Sequence, residues 1–157
     1  MNTLDNKVTL VTGSSHGREN MNNDLHDFKK FMKQREEASR AFVNGDIAPL
    51  DRIATRISPA TIFGPRGDTV EGADRVNAAN MSGATSFDPG GESSFEILHM
   101  AANDGIAFWA GIQRSTVRMP DKDEAIPMDL RVTEVFRRED DKWKLVHRHA
   151  DPLASKS

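Results

Sequence analysis

His99, Glu134 and Arg148 are the residues whose types and placement offer chemistry in this 157-residue chain. Each sits in a run where apolar residues alternate with other types. An imidazole, a carboxylate and a guanidinium converging on one hollow could bind a polar group or move a proton. Side chains two apart on a strand share a face. If Asp104-Gly105 forms a two-residue turn, Ile97 and His99 share a face with Ala110 and Ile112. If the turn at Glu139-Asp140-Asp141 holds three residues, Leu130, Val132, Glu134 and Phe136 lie beside Val146, Arg148 and Ala150. Apolar surroundings raise the proton affinity of a carboxylate and a nearby guanidinium lowers it, so Glu134 facing Arg148 is either a base or an inert partner.

The opposite face carries Trp143, Leu145, His147 and His149, with Asp129, Arg131, Thr133 and Val135 beside them. Two histidines two apart, with Asp129 or Asp151, have a spacing that can hold a metal. A face mixing Trp, Leu and Val with hydrogen-bonding groups reads instead as a subunit interface, so a homodimer and no metal are expected. Trp109, alternating with Phe108, belongs to that outer side. Arg35 falls on the apolar stripe of the first helix, from which it either reaches into the cavity or, the commoner outcome, snorkels along its stem.

The elements that must position these residues follow from periodicity and punctuation. Leu25, Phe28, Phe31, Met32, Ala38, Phe42 and Val43 mark a helix over Asp24–Asn44, capped by Asn22 or Asn23 and stopped by Gly45. Asp46 caps a second short helix through Ile47, Leu50 and Ile53, with Pro49 in its first turn. A hairpin over Ala60–Phe63 and Asp68–Glu71 turns at Gly64-Pro65-Arg66-Gly67, and a third helix covers about Ala73–Thr85. Strands follow at about Glu92–Ala102, Ile106–Met119, Ile126–Arg138 and Trp143–Ala150. Helices followed by a meander predict an α+β fold with three N-terminal helices on one face of a curved antiparallel sheet.

Composition removes several function classes. Twenty-one basic against 24 acidic residues give a net charge of −3 with no long basic cluster, so no nucleic-acid partner is expected. Cysteine is absent, which excludes thiol catalysis, disulfides and zinc–thiolate sites. The apolar stretches are short of a membrane span, and Asp5 and Lys7 interrupt any signal-peptide core, so a cytoplasmic protein with no membrane association is expected. Lys7–Gly17 resembles the glycine loop that opens short-chain dehydrogenases, but Arg18-Glu19-Asn20 breaks the pattern. No cofactor is expected, and residues 1–20 read as a poorly packed extension before a domain over 21–153 and a tail over 154–157.

Arg131-Val132-Thr133-Glu134-Val135-Phe136 and Asp140-Asp141-Lys142-Trp143-Lys144-Leu145-Val146-His147-Arg148-His149 resemble the closing hairpin of SnoaL-like domains and of the association domain of calcium/calmodulin-dependent kinase. Both belong to the nuclear transport factor 2-like superfamily. Asn44-Gly45-Asp46 and Ala60-Thr61-Ile62-Phe63-Gly64-Pro65 resemble a helix end and first strand of ketosteroid isomerase. The resemblance spans roughly Asp24–Asp151 and implies a cystatin-like cone around one small-molecule pocket. The isomerase's general base falls at Gly64 and its oxyanion-binding tyrosine at Ala38, and the chain has no tyrosine. The association domain's three pocket arginines fall at Ala110, Glu134 and Ala150.

Placing those last three positions inside joins the two sets of strand residues. The inner wall is then expected to hold Ile97, Phe108, Ala110, Ile112, Leu130, Val132, Val146 and Ala150, with His99, Glu134 and Arg148 as polar members. This predicts a pocket for a small apolar molecule. Glu134 or His99 would transfer a proton in a cofactor-independent isomerisation, dehydration or cyclisation. The competing expectation is a ligand-binding or dimerisation module without turnover.

Overall fold

A computed structural model describes the backbone of residues 15–155 and side chains from residue 23 onward. Residues 7–14 of the dehydrogenase-like loop, and with them the greater part of the 1–20 extension, lie outside the described residues, while Ser15, His16 and Gly17 are helical. Helix α1 covers Ser15–Phe42, so it runs through Asn22 and Asn23 rather than starting there. It buries Phe28, Met32, Arg35, Ala38 and Ser39, a stripe at helical spacing. The chain turns at Gly45, whose φ of 88° favours glycine and where a Cβ would press on the Phe87 carbonyl. Asp46 accepts the Ala48 N–H at 3.0 Å as α2 (Ala48–Ile53) begins.

Strands β1 (Thr61–Phe63) and β2 (Thr69–Glu71) form the expected hairpin, and α3 (Ala73–Thr85) follows. The remaining strands are β3 (Asp88–Asn103), β4 (Ile106–Arg118), β5 (Ile126–Pro127), β6 (Leu130–Glu139) and β7 (Lys142–Pro152). They form one seven-stranded sheet ordered β2-β1-β7-β6-β4-β3, with β5 alongside β4. The sheet is mixed rather than antiparallel throughout, because β1 runs parallel to β7. That placement lets the hairpin between α2 and α3 extend the sheet edge beneath the helices.

Two turns fix the register, and three irregularities alter it, one of them between Asp88 and Glu92 where β3 begins. Asp104 and Gly105 both have positive φ, as do Asp140 and Asp141, so each pair makes a two-residue hairpin turn that matches strand twist. Register shifts occur between Ile97 and His99 in β3 and between Val135 and Phe136 on β6, where β7 carries Val146 as the extra residue. Such bulges bend a sheet and increase its twist. Gly111 faces the one between Ile97 and His99, and a Cβ there would collide with the Glu96 carbonyl oxygen.

The helices cover the face formed by Ala107, Trp109, Gln113, Leu130, Val132, Phe136, Trp143 and Leu145. Phe28 meets Phe136 at 5.2 Å and Trp143 at 5.5 Å between ring centroids, and Phe31 meets Phe136 at 5.3 Å. These tilted and edge-on contacts fill the space between one end of α1 and the sheet. Ion pairing of Arg138 with Asp24 at 2.8 Å ties the same end together.

Candidate functional site

Away from the aromatic plug, the helices and sheet leave a cavity of about 330 Å³. Its apolar wall includes Phe42, Leu50, Val76, Met128, Leu130 and Ala150, drawn from all three helices and the inner face of the sheet. Arg35, Ser39, Gln113 and Arg148 supply polar lining, and Asp68, Asn80, Thr61 and His147 line it as well. A mostly apolar hollow of this size with a few polar side chains is suited to a small molecule.

Glu134 is the centre of the charged network although it does not line the cavity. It is fully buried, and each carboxylate oxygen accepts two hydrogen bonds. Oε1 accepts from Arg35 Nε at 2.9 Å and Trp109 Nε1 at 2.8 Å, and Oε2 accepts from Arg35 Nη2 and Arg148 Nη1, both at 2.8 Å. Burial raises its proton affinity, but the two guanidiniums outweigh that effect and hold its pKa at about 2. At neutral pH Glu134 is a carboxylate with its acceptor sites occupied.

One carboxylate thus faces two guanidiniums, leaving a surplus positive charge. Arg35 makes the bidentate pair and is 3% exposed, with Nη1 lacking a hydrogen-bond partner among the described residues. Its guanidinium lies 5.5 Å from the centroid of the Phe95 ring. Arg148 is more open, with 19% of its side chain exposed, and its Nη2 donates to Gln113 Oε1 at 2.8 Å. Burial lowers the Arg148 pKa, Glu134 raises it, and Arg35 lowers it. Arg148 is therefore the more accessible of the two cations that line the cavity.

The register separates the expected site residues into two groups. Glu134, Arg148, Val132 and Ala150 lie on the concave, helix-covered face, with Glu134 paired to Arg148 and Val132 to Ala150. His99, Phe108, Ala110 and Ile112 lie on the other face, because Trp109, not Ala110, pairs with Glu134. His99 is exposed, pairs with Ala110 and meets the Phe108 ring edge-on at 5.4 Å. The expected trio is therefore not assembled. Trp109 is correspondingly inside and fully buried, and the Val146 bulge brings Trp143 and Leu145 to the inner side.

Arg35, Ser39, Trp109 and Gln113 complete the polar network, and of these Ser39, Trp109 and Gln113 were not expected in it. Arg35 had a signal in the sequence, since it occupies a buried stripe position. The inward row of β4 reads Ala107, Trp109, Gly111, Gln113, Ser115 and Val117, while the outward row includes Ile106, Phe108, Ala110 and Ile112. Hydrophobicity alone favours the wrong row.

His147 belongs to a smaller group at the β1–β7 seam. Its Nδ1 and the Thr61 hydroxyl are 2.6 Å apart, and Phe63 packs edge-on against His147 and His149 at 4.9 and 5.6 Å. Burial first, and the neighbouring His149 second, push the His147 pKa below its ordinary value. The Asp68 carboxylate packs directly over Gly64, in the space that a side chain at position 64 would occupy.

A helix-covered curved sheet enclosing a cavity is the cystatin-like architecture of the nuclear transport factor 2-like proteins. Residues 35–155 match the SnoaL-like domain family, and the chain belongs to that family. The fold is similar to a candidate dehydratase of the nuclear transport factor 2-like family from Streptomyces avermitilis, at 17% identity and TM-score 0.66 over 83% of this chain and 98% of that one. A nuclear transport factor 2-like superfamily protein from Salmonella enterica gives 11% identity and TM-score 0.69, covering 84% of this chain and 92% of that one. A candidate calcium/calmodulin-dependent protein kinase type II association domain from Thiobacillus denitrificans gives 22% identity and TM-score 0.58, covering 73% and 87%. No curated protein sequence matches the chain.

Proposed function

We propose that this domain binds a small molecule with an apolar body and an acidic head, seated with the head at Arg148 and the body along Leu50, Val76, Met128 and Leu130. The observation that carries this reading is the two-to-one ratio of guanidinium to carboxylate around Glu134. Arg35 makes the bidentate pair with Glu134, while Arg148 gives Glu134 a single bond, and its remaining donor capacity and the surplus charge can meet an incoming anion. This modifies the expectation of a purely apolar guest. Proton transfer by Glu134 or His99 is not part of the proposal, since Glu134 is saturated and His99 lies across the sheet.

Calorimetric titration with carboxylates from butanoate to decanoate and 3-phenylpropanoate, each beside its amide, tests the reading. At least one acid is expected to bind tenfold or more tightly than its amide, and Arg148→Met is expected to abolish the preference. Equal binding of every acid and amide would overturn it.

A second reading, proton transfer on the bound molecule, draws on Asp68, whose carboxylate lines the same cavity. The similar Streptomyces avermitilis protein carries a candidate dehydratase assignment. Exchange of the carbon-bound hydrogens next to the carboxylate in deuterium oxide, lost in Asp68→Asn, would support that reading. No exchange above the buffer rate would contradict it.

The convex face supports the expected homodimer with a changed composition. Phe108, Ala110, Ile112 and Val135 form neighbouring half-buried rows, with Ile106 49% exposed at one end. Charged residues on this face pair within the chain, including Arg131 with Asp151 and Arg114 with Glu96. A second copy of the chain is the occupant that we propose.

A further inference from the structure

Behind the Arg148 guanidinium runs a chain of buried polar side chains that the proposed binding mode does not by itself require. Arg148 Nη2 donates to Gln113 Oε1 at 2.8 Å, and Gln113 Nε2 donates to Ser115 Oγ at 3.0 Å. Ser115 Oγ donates to Ser93 Oγ at 3.3 Å, and Ser93 Oγ lies 2.7 Å from Ser39 Oγ. Gln113 and the three serines are each 3–4% exposed. The chain begins at Arg148 on β7, crosses β4 and β3, and ends on α1 at Ser39, which lines the cavity.

The charge of Arg148 gives this chain one direction. A guanidinium can only donate, so the Gln113 amide must present its oxygen to Arg148 and its nitrogen to Ser115. Ser115 accepts that bond and passes its own proton to Ser93. A Ser93 hydroxyl that accepted from both sides would be left with a buried proton and no acceptor, whereas donation to Ser39 satisfies it. The Ser39 proton is then the free end of the chain. It sits at the cavity wall, which Arg35 and Arg148 also line.

We infer that Ser39 is a specificity-determining residue, held by the Gln113-Ser115-Ser93 chain as an obligate hydroxyl donor to the head group of the bound molecule. Resting on the proposed binding mode, this narrows the ligand class to small monocarboxylates whose second oxygen accepts from Ser39 while Arg148 meets the first. A primary amide or an alcohol can accept from one of these donors, but its own hydrogens find only the remaining lone pair of Ser39 Oγ there, whereas a carboxylate accepts from both donors and carries the complementary charge. Ser93 and Ser115 are positioning residues that act through Ser39, and neither lines the cavity.

The test is a double-mutant cycle read with the tightest carboxylate of the titration series and its amide. Hydrogen bonds to charged groups are worth enough that Ser39→Ala should weaken the acid roughly tenfold or more and leave the amide within about twofold. Ser115→Ala should weaken the acid several-fold by releasing Ser93 and so the direction of Ser39. The two changes together should cost no more than Ser39→Ala alone, because they act on one bond. Ser39→Thr, which retains the hydroxyl, should restore most of the affinity and guards against loss of the alanine variant through misfolding.

Independent, additive losses from Ser39→Ala and Ser115→Ala, or equal losses for acid and amide, would overturn the role of Ser39. Failure of the unmodified protein to prefer any acid would instead overturn the binding mode on which it rests.

Discussion

Trp109 and Glu134 face each other across the β4–β6 register, and the indole N–H donates to Glu134 Oε1 at 2.8 Å. This bond fixes which row of β4 faces the helices, and it occupies the acceptor site left on Oε1 beside Arg35. Trp109→Phe keeps a ring stacked on Phe95, now 4.5 Å between centroids, but removes the donor. Chemical denaturation should show a loss of about 1–2 kcal/mol. An unchanged midpoint would mean that the bond contributes nothing.

Glu134→Gln leaves Arg35 and Arg148 facing each other without a counter-charge. Breaking a buried ion pair from one side typically costs about 3–5 kcal/mol, so the variant should be severely destabilised. Arg148→Met leaves Glu134 with Arg35 and should fold. A thermal melt of both distinguishes a structural carboxylate from a dispensable one, and an E134Q variant as stable as the unmodified protein would contradict the account.

The same pair sets an acid limit. The Glu134 pKa lies at about 2 in the folded protein and near 4.5 when unfolded. Its contribution is therefore fully present above about pH 5 and is lost as pH falls toward 2. The loss is on the order of 3 kcal/mol. Unfolding free energies measured between pH 6 and pH 2.5 should show this slope, and the slope should be reduced in a folded Arg148→Met variant, which removes one of the two cations. A flat profile in the unmodified protein would contradict the assignment.

The element plan was legible from residue types, whereas the facing of two strands was not. Gly45, Pro49 and the hairpin glycines mark helix ends and turns by local backbone demands, and the structure follows them closely. Facing depends on counting residues through turns and bulges. The Asp140-Asp141 turn holds two residues where three were expected, and Val146 supplies the missing residue as a bulge. These two differences cancel at Arg148 and Ala150, and Val146 lines the cavity as expected, but Leu145 and Trp143 lie inside where the outer face was expected.

On β4 no such cancellation occurs. His99 pairs with Ala110 as the two-residue turn requires, but the association-domain resemblance, which implies Ala110, Glu134 and Ala150 inside, carries that pair to the wrong face. A row containing Trp109, Gln113 and Ser115 reads as less apolar than one containing Phe108 and Ile112. The cavity side needs the former row because Gln113 and Trp109 satisfy Arg148 and Glu134.

Gly111 is the residue that permits this arrangement at the β3 bulge. Its missing side chain leaves room for the Glu96 carbonyl and the Leu98 amide, which are backbone atoms with little freedom to move. Gly111→Ala should therefore destabilise the fold by at least about 1–3 kcal/mol. Hydrogen exchange should show the β3–β4 amides near Leu98 losing protection first, and unchanged protection there would contradict the local origin of the effect.

A crystal structure of the protein with its tightest-binding carboxylate tests the central claim most directly. The account predicts one carboxylate oxygen within hydrogen-bond distance of Arg148, with the hydrocarbon portion along Leu50, Val76 and Leu130. A carboxylate directed away from Arg148, or bound on the His99 face of the sheet, would contradict it.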